Sequence, residues 1–173
     1  MYNKKHPTIG CCGIDCGLCP RYYTEGTSRC PGCCGDGFEL KHPSCGFITC
    51  CVKEHSLEVC AECGNFPCKK FDKETGERDS FVTHRKVRHN QRLISENGLD
   101  AFLEQQQQRI AFLETALKRY DDGRSKSFLC LASALISIES LNEALSLANS
   151  GESLKNTLTR FAEKEGQELK LRK

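Results

Sequence analysis

Past residue 100 the apolar residues of this chain fall into helical rows, whereas before residue 70 they do not. Phe102, Leu103, Ile110, Leu113 and Leu117 return at three- and four-residue steps, which lays them on one face of a helix predicted over 100–120. Asn97-Gly98 ahead of that stripe is a stop signal for a preceding helix over 81–96, because glycine readily takes the left-handed conformation that closes a helix. Asp121-Asp122-Gly123 ends the long helix. After Ser127 the stretch 128–138 is apolar on nearly every side and is expected to be buried. Ser140 and Glu143 have capping-box spacing, which predicts a short helix ending at Asn149-Ser150-Gly151. Leu154, Leu158, Phe161 and Ala162 make the stripe of a last amphipathic helix, and Gly166 releases a polar tail over 166–173.

The first seventy residues follow a different logic. Their apolar side chains, among them Ile9, Ile14, Leu18, Phe38, Phe47, Ile48, Val59 and Phe66, are scattered among glycines and turn residues. Ordering backbone costs about 1–2 kcal/mol per residue, more than so thin an inventory offsets. A structural zinc ion contributes on the order of 10–16 kcal/mol of apparent binding energy near neutral pH. The expected fold is therefore mostly α, with a small irregular, loop-rich, metal-stabilised N-terminal module of zinc-knuckle type. That module spans 8–72 and the helical region 79–165, joined by a charged, glycine-containing link over 72–79.

Cysteine supplies the chemistry that would hold the module. Thirteen of the fourteen cysteines lie between Cys11 and Cys68. Cys12-x3-Cys16-x2-Cys19, Cys30-x2-Cys33, Cys45-x4-Cys50 and Cys60-x2-Cys63-x4-Cys68 follow in that order, and such short steps let neighbouring thiolates face one tetrahedral ion. These ten residues are the candidate metal ligands: Cys12, Cys16, Cys19, Cys30, Cys33, Cys45, Cys50, Cys60, Cys63 and Cys68. The default grouping places Cys30 and Cys33 with Cys45 and Cys50, and Cys12, Cys16 and Cys19 with Cys60, Cys63 or Cys68. Adjacent cysteines project in different directions, so each doublet formed with Cys11, Cys34 or Cys51 is expected to hold one ligand and one bystander. His42 and His55 remain open as further ligands, Asp15 and Glu62 as outer-sphere groups, and Cys130 reads as a core residue.

Zinc is the expected ion, with a [4Fe–4S] cluster as the alternative. Cys12-x3-Cys16-x2-Cys19 has the spacing of radical S-adenosylmethionine enzymes, but those need a strand before the motif and a β/α barrel after it. A redox role for Cys60-x2-Cys63 lacks its βαβ context. No Cys-x-Cys step occurs in the first half, which argues against a metallothionein-like buffer. No grouping of serine, histidine and acid suggests a hydrolase, and no catalytic residue is assigned.

Charge narrows the partners. Lys and Arg number 25 and Asp and Glu 23, and a net +2 argues against a dedicated polyanion binder. Arg85, Arg88, His89 and Arg92, with Lys86 beside them, form the one basic stripe; it reads as a solvated helix face answered by Glu74, Glu77 and Glu96. The expected partner is a protein. The first residues lack the apolar core of a signal peptide, and 128–138 is far shorter than the roughly 20 residues of a membrane span, so a cytoplasmic location is expected. In that reducing compartment clustered cysteines bind metal rather than form the disulfide scaffold of a secreted protein.

Cys12-Gly13-Ile14-Asp15-Cys16-Gly17-Leu18-Cys19-Pro20 resembles the opening of an uncharacterised cysteine-rich family, domain of unknown function 3795. Cys30-x-Gly32-Cys33, Cys45 and Cys50 continue that family's pattern, and Cys60-Ala61-Glu62-Cys63-Gly64-Asn65-Phe66-Pro67-Cys68 resembles its closing signature. The resemblance covers roughly residues 10–118 and implies zinc binding followed by a helical region; it implies no reaction. The doublet members Cys11, Cys34 and Cys51 depart from the pattern.

Overall fold

A computed structural model describes residues 4–42, 45–72 and 78–172. Among them there is no β-strand, only one isolated antiparallel bridge between Ile9 and Asp15. The cysteine-rich half is built from single 3₁₀ turns at Cys16–Leu18, Gly26–Ser28, Phe38–Leu40 and Cys60–Glu62. Between them lie a one-turn helix α1 (Gly46–Ile48), which runs straight into a π turn at Thr49–Glu54, and the short α2 (Lys69–Asp72). Five longer helices follow: α3 (Val87–Asn97), α4 (Leu99–Tyr120), α5 (Lys126–Leu135), α6 (Ile138–Asn149) and α7 (Leu154–Lys164). The mostly α architecture with a loop-rich cysteine segment is thus present.

The helices close around one apolar cluster. Leu113, Ala132, Ile136, Ala144 and Leu158 are completely buried in it, and Leu18 from the first 3₁₀ turn inserts among them. A large aliphatic side chain buried in this way contributes about 1.5–3 kcal/mol. The cysteine-rich half has its own cluster, and that one is different in kind: five of its eight buried members are cysteines, with Ile48, Phe71 and Val87 completing it. A third, small cluster of Ile9, Val59, Ile94 and Phe102 seals α3 and α4 against the loops.

Three helix limits differ from the sequence expectation, each for a local reason. The helix predicted from residue 81 starts at Val87, because the Asp79 carboxylate accepts from the His84 N–H (2.8 Å) and the Thr83 hydroxyl (3.2 Å) and holds the chain in a loop. Burial alone would raise the Asp79 carboxyl. The donors that surround it, with Arg85 in an ion pair at 3.5 Å, hold it below the usual carboxylate range instead. The polar tail is not released either: Arg172 N–H donates to Asp79 at 2.8 Å, and Arg85 donates to the carbonyls of Glu168 and Lys170. The apolar stretch 128–138 breaks after Leu135, and Ser137, not Ser140, caps α6; its hydroxyl accepts from the Ser140 N–H at 3.3 Å while donating to Glu165 at 2.7 Å.

Part of the basic stripe is tied within the chain. Arg88 donates to the Phe71 carbonyl, and Arg92 faces Glu96 at 4.0 Å on a half-open surface. Glu74 and Glu77, expected as further counter-charges, lie outside the described residues, as does most of the 72–79 link. Among the described residues no helix is long and apolar enough to cross a membrane.

Candidate metal centre

Two glycine-dependent turns bring the first cysteines together. Gly13 closes a tight turn onto Gly10 (2.8 Å) with φ +93°, and a Cβ there would lie 2.7 Å from the Val87 carbonyl. Only glycine fits. Helix α3 then grips the turn from outside: Asn90 Nδ2 donates to the Gly13 carbonyl at 2.9 Å and Gln91 Nε2 to the Cys11 carbonyl at 2.8 Å. Gly32 has φ +86°, and a Cβ on it would come within 2.3 Å of the Pro7 carbonyl oxygen, the same oxygen that accepts the Cys33 N–H at 2.8 Å. Cys34 itself takes a left-handed φ of +59°, a conformation that costs a non-glycine residue on the order of 1 kcal/mol.

These turns place the Sγ atoms of Cys11, Cys33 and Cys34 within 4.8 Å of one another, all three buried, with Cys11 and Cys33 at 3.7 Å. Cys51 on the π turn and Cys60 are buried in the same cluster: the Cys60 N–H donates to the Cys11 carbonyl at 2.9 Å, and the Cys51 thiol donates to the Leu57 carbonyl at 3.4 Å. The result is a nest of five buried sulfurs. One cation overlooks it. Lys4 is 7% exposed, donates to the Ile9 carbonyl at 2.5 Å, and its charge favours the thiolate form of Cys11, Cys33, Cys34 and Cys51. Cys11 and Cys33 share a hydrogen bond, and with Cys34 beside them it lowers the Cys33 pKa and raises those of Cys11 and Cys34. Thiolate is the form that binds metal.

The remaining cysteines are arranged more loosely around this nest. Cys30 Sγ lies 3.2 Å from His42 Nε2, and the imidazole stacks on Phe38 with centroids 4.2 Å apart. Burial and the nearby Arg21 push the His42 pKa down, so the ring is neutral and able to ligate. Burial raises the pKa values of Cys19 and Cys12. Burial raises the Cys16 pKa, with Cys33, Cys12 and Cys19 adding to the effect. Cys50, Glu54 and His55 form a further group with ligand atoms within 4.8 Å, half-buried to exposed. Cys63 and Cys68 line a cavity of about 30 Å³ together with Cys50, Cys51, His55 and Cys60.

Among the described residues, the ligand groups within 4.8 Å do not include Cys30, Cys33, Cys45 and Cys50 together, nor Cys12, Cys16 and Cys19 with Cys60, Cys63 or Cys68. The doublets differ in which member is buried. In each of Cys11-Cys12 and Cys50-Cys51 it is the residue outside the regular spacing, Cys11 or Cys51, that turns into the nest, and in Cys33-Cys34 both do. A usable signal existed: Cys11 lies two residues after the buried Ile9, and Cys51 three after the buried Ile48, so each shares its apolar neighbour's inward face.

The two acids read as outer-sphere groups are tied elsewhere. Gln106 Nε2 donates to Asp15 at 2.6 Å; burial pushes the Asp15 carboxyl up to about 6, against the pull of Gln106 and Arg109. Glu62 accepts from the backbone N–H groups of Glu58 and Val59 at 2.8 and 3.2 Å. Cys130 packs in the helical core, as expected of it.

The cysteine clusters can hold a metal ion, and three-sulfur convergence in a buried site is the chemistry of thiolate-binding ions. No protein-family model, curated protein or solved structure matches this chain, so the likeness to domain of unknown function 3795 rests on the cysteine motifs alone.

Proposed function

We propose that residues 8–72 form a structural metal-binding module, with zinc as its ion and Cys11, Cys33, Cys34 and Cys51 as the innermost ligand set. The observation that carries this reading is the 3.7 Å separation of the Cys11 and Cys33 sulfurs. With Zn–S bonds of about 2.3 Å, the sulfur–sulfur edge of a tetrahedral site is roughly 3.8 Å. A [4Fe–4S] cubane sets its own irons and sulfides between its cysteines, which spreads the thiolates beyond a single tetrahedral edge. Charge supports the same ion: four thiolates around a divalent cation leave an excess of negative charge, and the buried Lys4 ammonium offsets part of it. Cys12, Cys16, Cys19, Cys30, Cys45, Cys60, Cys63 and Cys68 are available as ligands of further ions, with Cys30 and His42 the best-formed pair.

The role that follows is architectural. The metal holds the loops that cover α3 and α4, and the surface so fixed is an interaction face for a protein partner, in keeping with the near-neutral charge. The test is Cys33→Ser measured beside Cys130→Ala in the full chain. Cys33→Ser is expected to lose at least one metal equivalent together with amide-exchange protection across 8–72. Cys130→Ala should keep its metal, since Cys130 lies in the helical core. Full metal content and unchanged protection in Cys33→Ser would overturn the reading.

A further inference from the structure

The strongest grouping outside the inner nest is Cys50, Glu54 and His55, and it has a structural cause. The π turn at Thr49–Glu54 carries Cys50 and Glu54, and His55 caps its end with its N–H on the Val52 carbonyl, which leaves the three ligand atoms within 4.8 Å of one another. The turn is ended by Ser56 with φ +56°, a strained conformation for serine, after which the Leu57 N–H returns to the Cys51 carbonyl at 2.9 Å. Wide turns of this kind are uncommon and concentrate at functional sites. Here the turn directs two neighbours oppositely: Cys51 goes into the nest at 3% exposure, while Cys50 joins the surface trio.

A second observation points to a ligand. Cys50 and His55 also line a partly open cavity of about 30 Å³, to which Cys63 and Cys68 supply more sulfur. The volume is enough for one or two small occupants such as a water or an ion. Cys51 and Cys60 of the inner nest line the same cavity, so it reaches from the trio to the buried sulfurs.

We infer that Cys50, Glu54 and His55 form a second metal site, distinct from the buried nest, which takes a borderline divalent transition-metal ion exchangeably. The donor set of one thiolate, one imidazole and one carboxylate suits zinc or cobalt and not calcium or magnesium, which prefer oxygen. Three protein ligands on an open surface leave a fourth position for water or for Cys63 or Cys68, and a ligand that can leave makes the ion exchangeable. Coordination is a ligand substitution without electron transfer: the Cys50 thiol gives its proton to solvent as the metal–sulfur bond forms, and an aqua ligand departs. The inference does not depend on which ion fills the nest.

The test uses the full chain as purified, with its metal content measured first, and cobalt(II) as the probe. The wild-type chain is expected to bind one further equivalent without displacing resident metal, with sulfur-to-cobalt charge-transfer absorption. Glu54→Gln and His55→Ala, both at exposed positions, should each weaken that equivalent on the order of tenfold or more, while resident metal stays unchanged. Absence of the extra equivalent in the wild type, or equal binding by the variants, would overturn the site. A chain purified without metal that still binds cobalt at the trio would count against the nest and leave this site standing.

Discussion

Withdrawing metal from the reduced protein is expected to unfold residues 8–72 and leave the helical half largely formed. The two halves are held by different forces. In the helical half Leu113, Leu158, Ile136 and their neighbours are fully buried hydrocarbon. In the cysteine-rich half the fully buried cluster has Ile48 and Phe71, with Val87 of α3, beside its five sulfurs, and its other apolar side chains, such as Phe47 and Phe66, are partly exposed; thiols left without metal are weak hydrogen-bond groups. A structural zinc site is worth on the order of 10–16 kcal/mol, as much as the whole stability of a typical domain at about 5–15 kcal/mol. Amide exchange before and after chelation checks this. Protection should vanish over 8–72, including the Cys60 and Cys33 N–H groups, and persist in α5, α6 and α7. Protection that survives chelation across 8–72 would mean that the cysteines are ordinary core residues.

Gln106→Leu is expected to destabilise the protein by about 2–4 kcal/mol, given roughly 1–3 kcal/mol for each buried polar group left unpaired. Gln106 is 3% exposed and joins α4 to the cysteine loops by three bonds: it donates to the Thr8 carbonyl (3.0 Å) and to Asp15 (2.6 Å), and accepts from the Thr8 hydroxyl (2.9 Å). Leucine fills the volume but strands the Thr8 hydroxyl and the buried Asp15 carboxylate, while the Thr8 carbonyl keeps the Gly17 N–H at 2.7 Å. Chemical denaturation of the metal-loaded protein measures the loss. A change below about 1 kcal/mol, the scale of an ordinary exposed hydrogen bond, would mean that the halves are not clamped here. Gln106→Glu, which sets a second carboxylate against Asp15, should be no less damaging than leucine.

Gln106 also shows where sequence reasoning stops. Its four-glutamine run, 105–108, looks like a solvated helix face, and only the fold reveals that its second member points inward. The helices themselves were legible because their apolar rows repeat at a fixed period, as at Ile110, Leu113 and Leu117. The α3 start was not, since it depends on Asp79 meeting Arg172 from the far end of the chain. Among the cysteines, regular spacing draws attention to Cys12 and Cys50, whereas the buried cluster contains their neighbours Cys11 and Cys51 with Cys33, Cys34 and Cys60. Spacing reports which thiolates lie close along the chain. Which of two adjacent thiols faces inward is decided by turn geometry and by apolar neighbours such as Ile9 and Ile48.

The most direct measurement is elemental analysis with a visible absorption spectrum, on full-length protein purified without oxygen and without an affinity metal column. Colourless protein carrying about two or three zinc ions, which is what ten or more thiolates sustain, is the expected result. Protein that carries neither zinc nor another thiolate-binding ion, or brown protein with iron and acid-labile sulfide, would contradict a tetrahedral zinc site at Cys11, Cys33, Cys34 and Cys51.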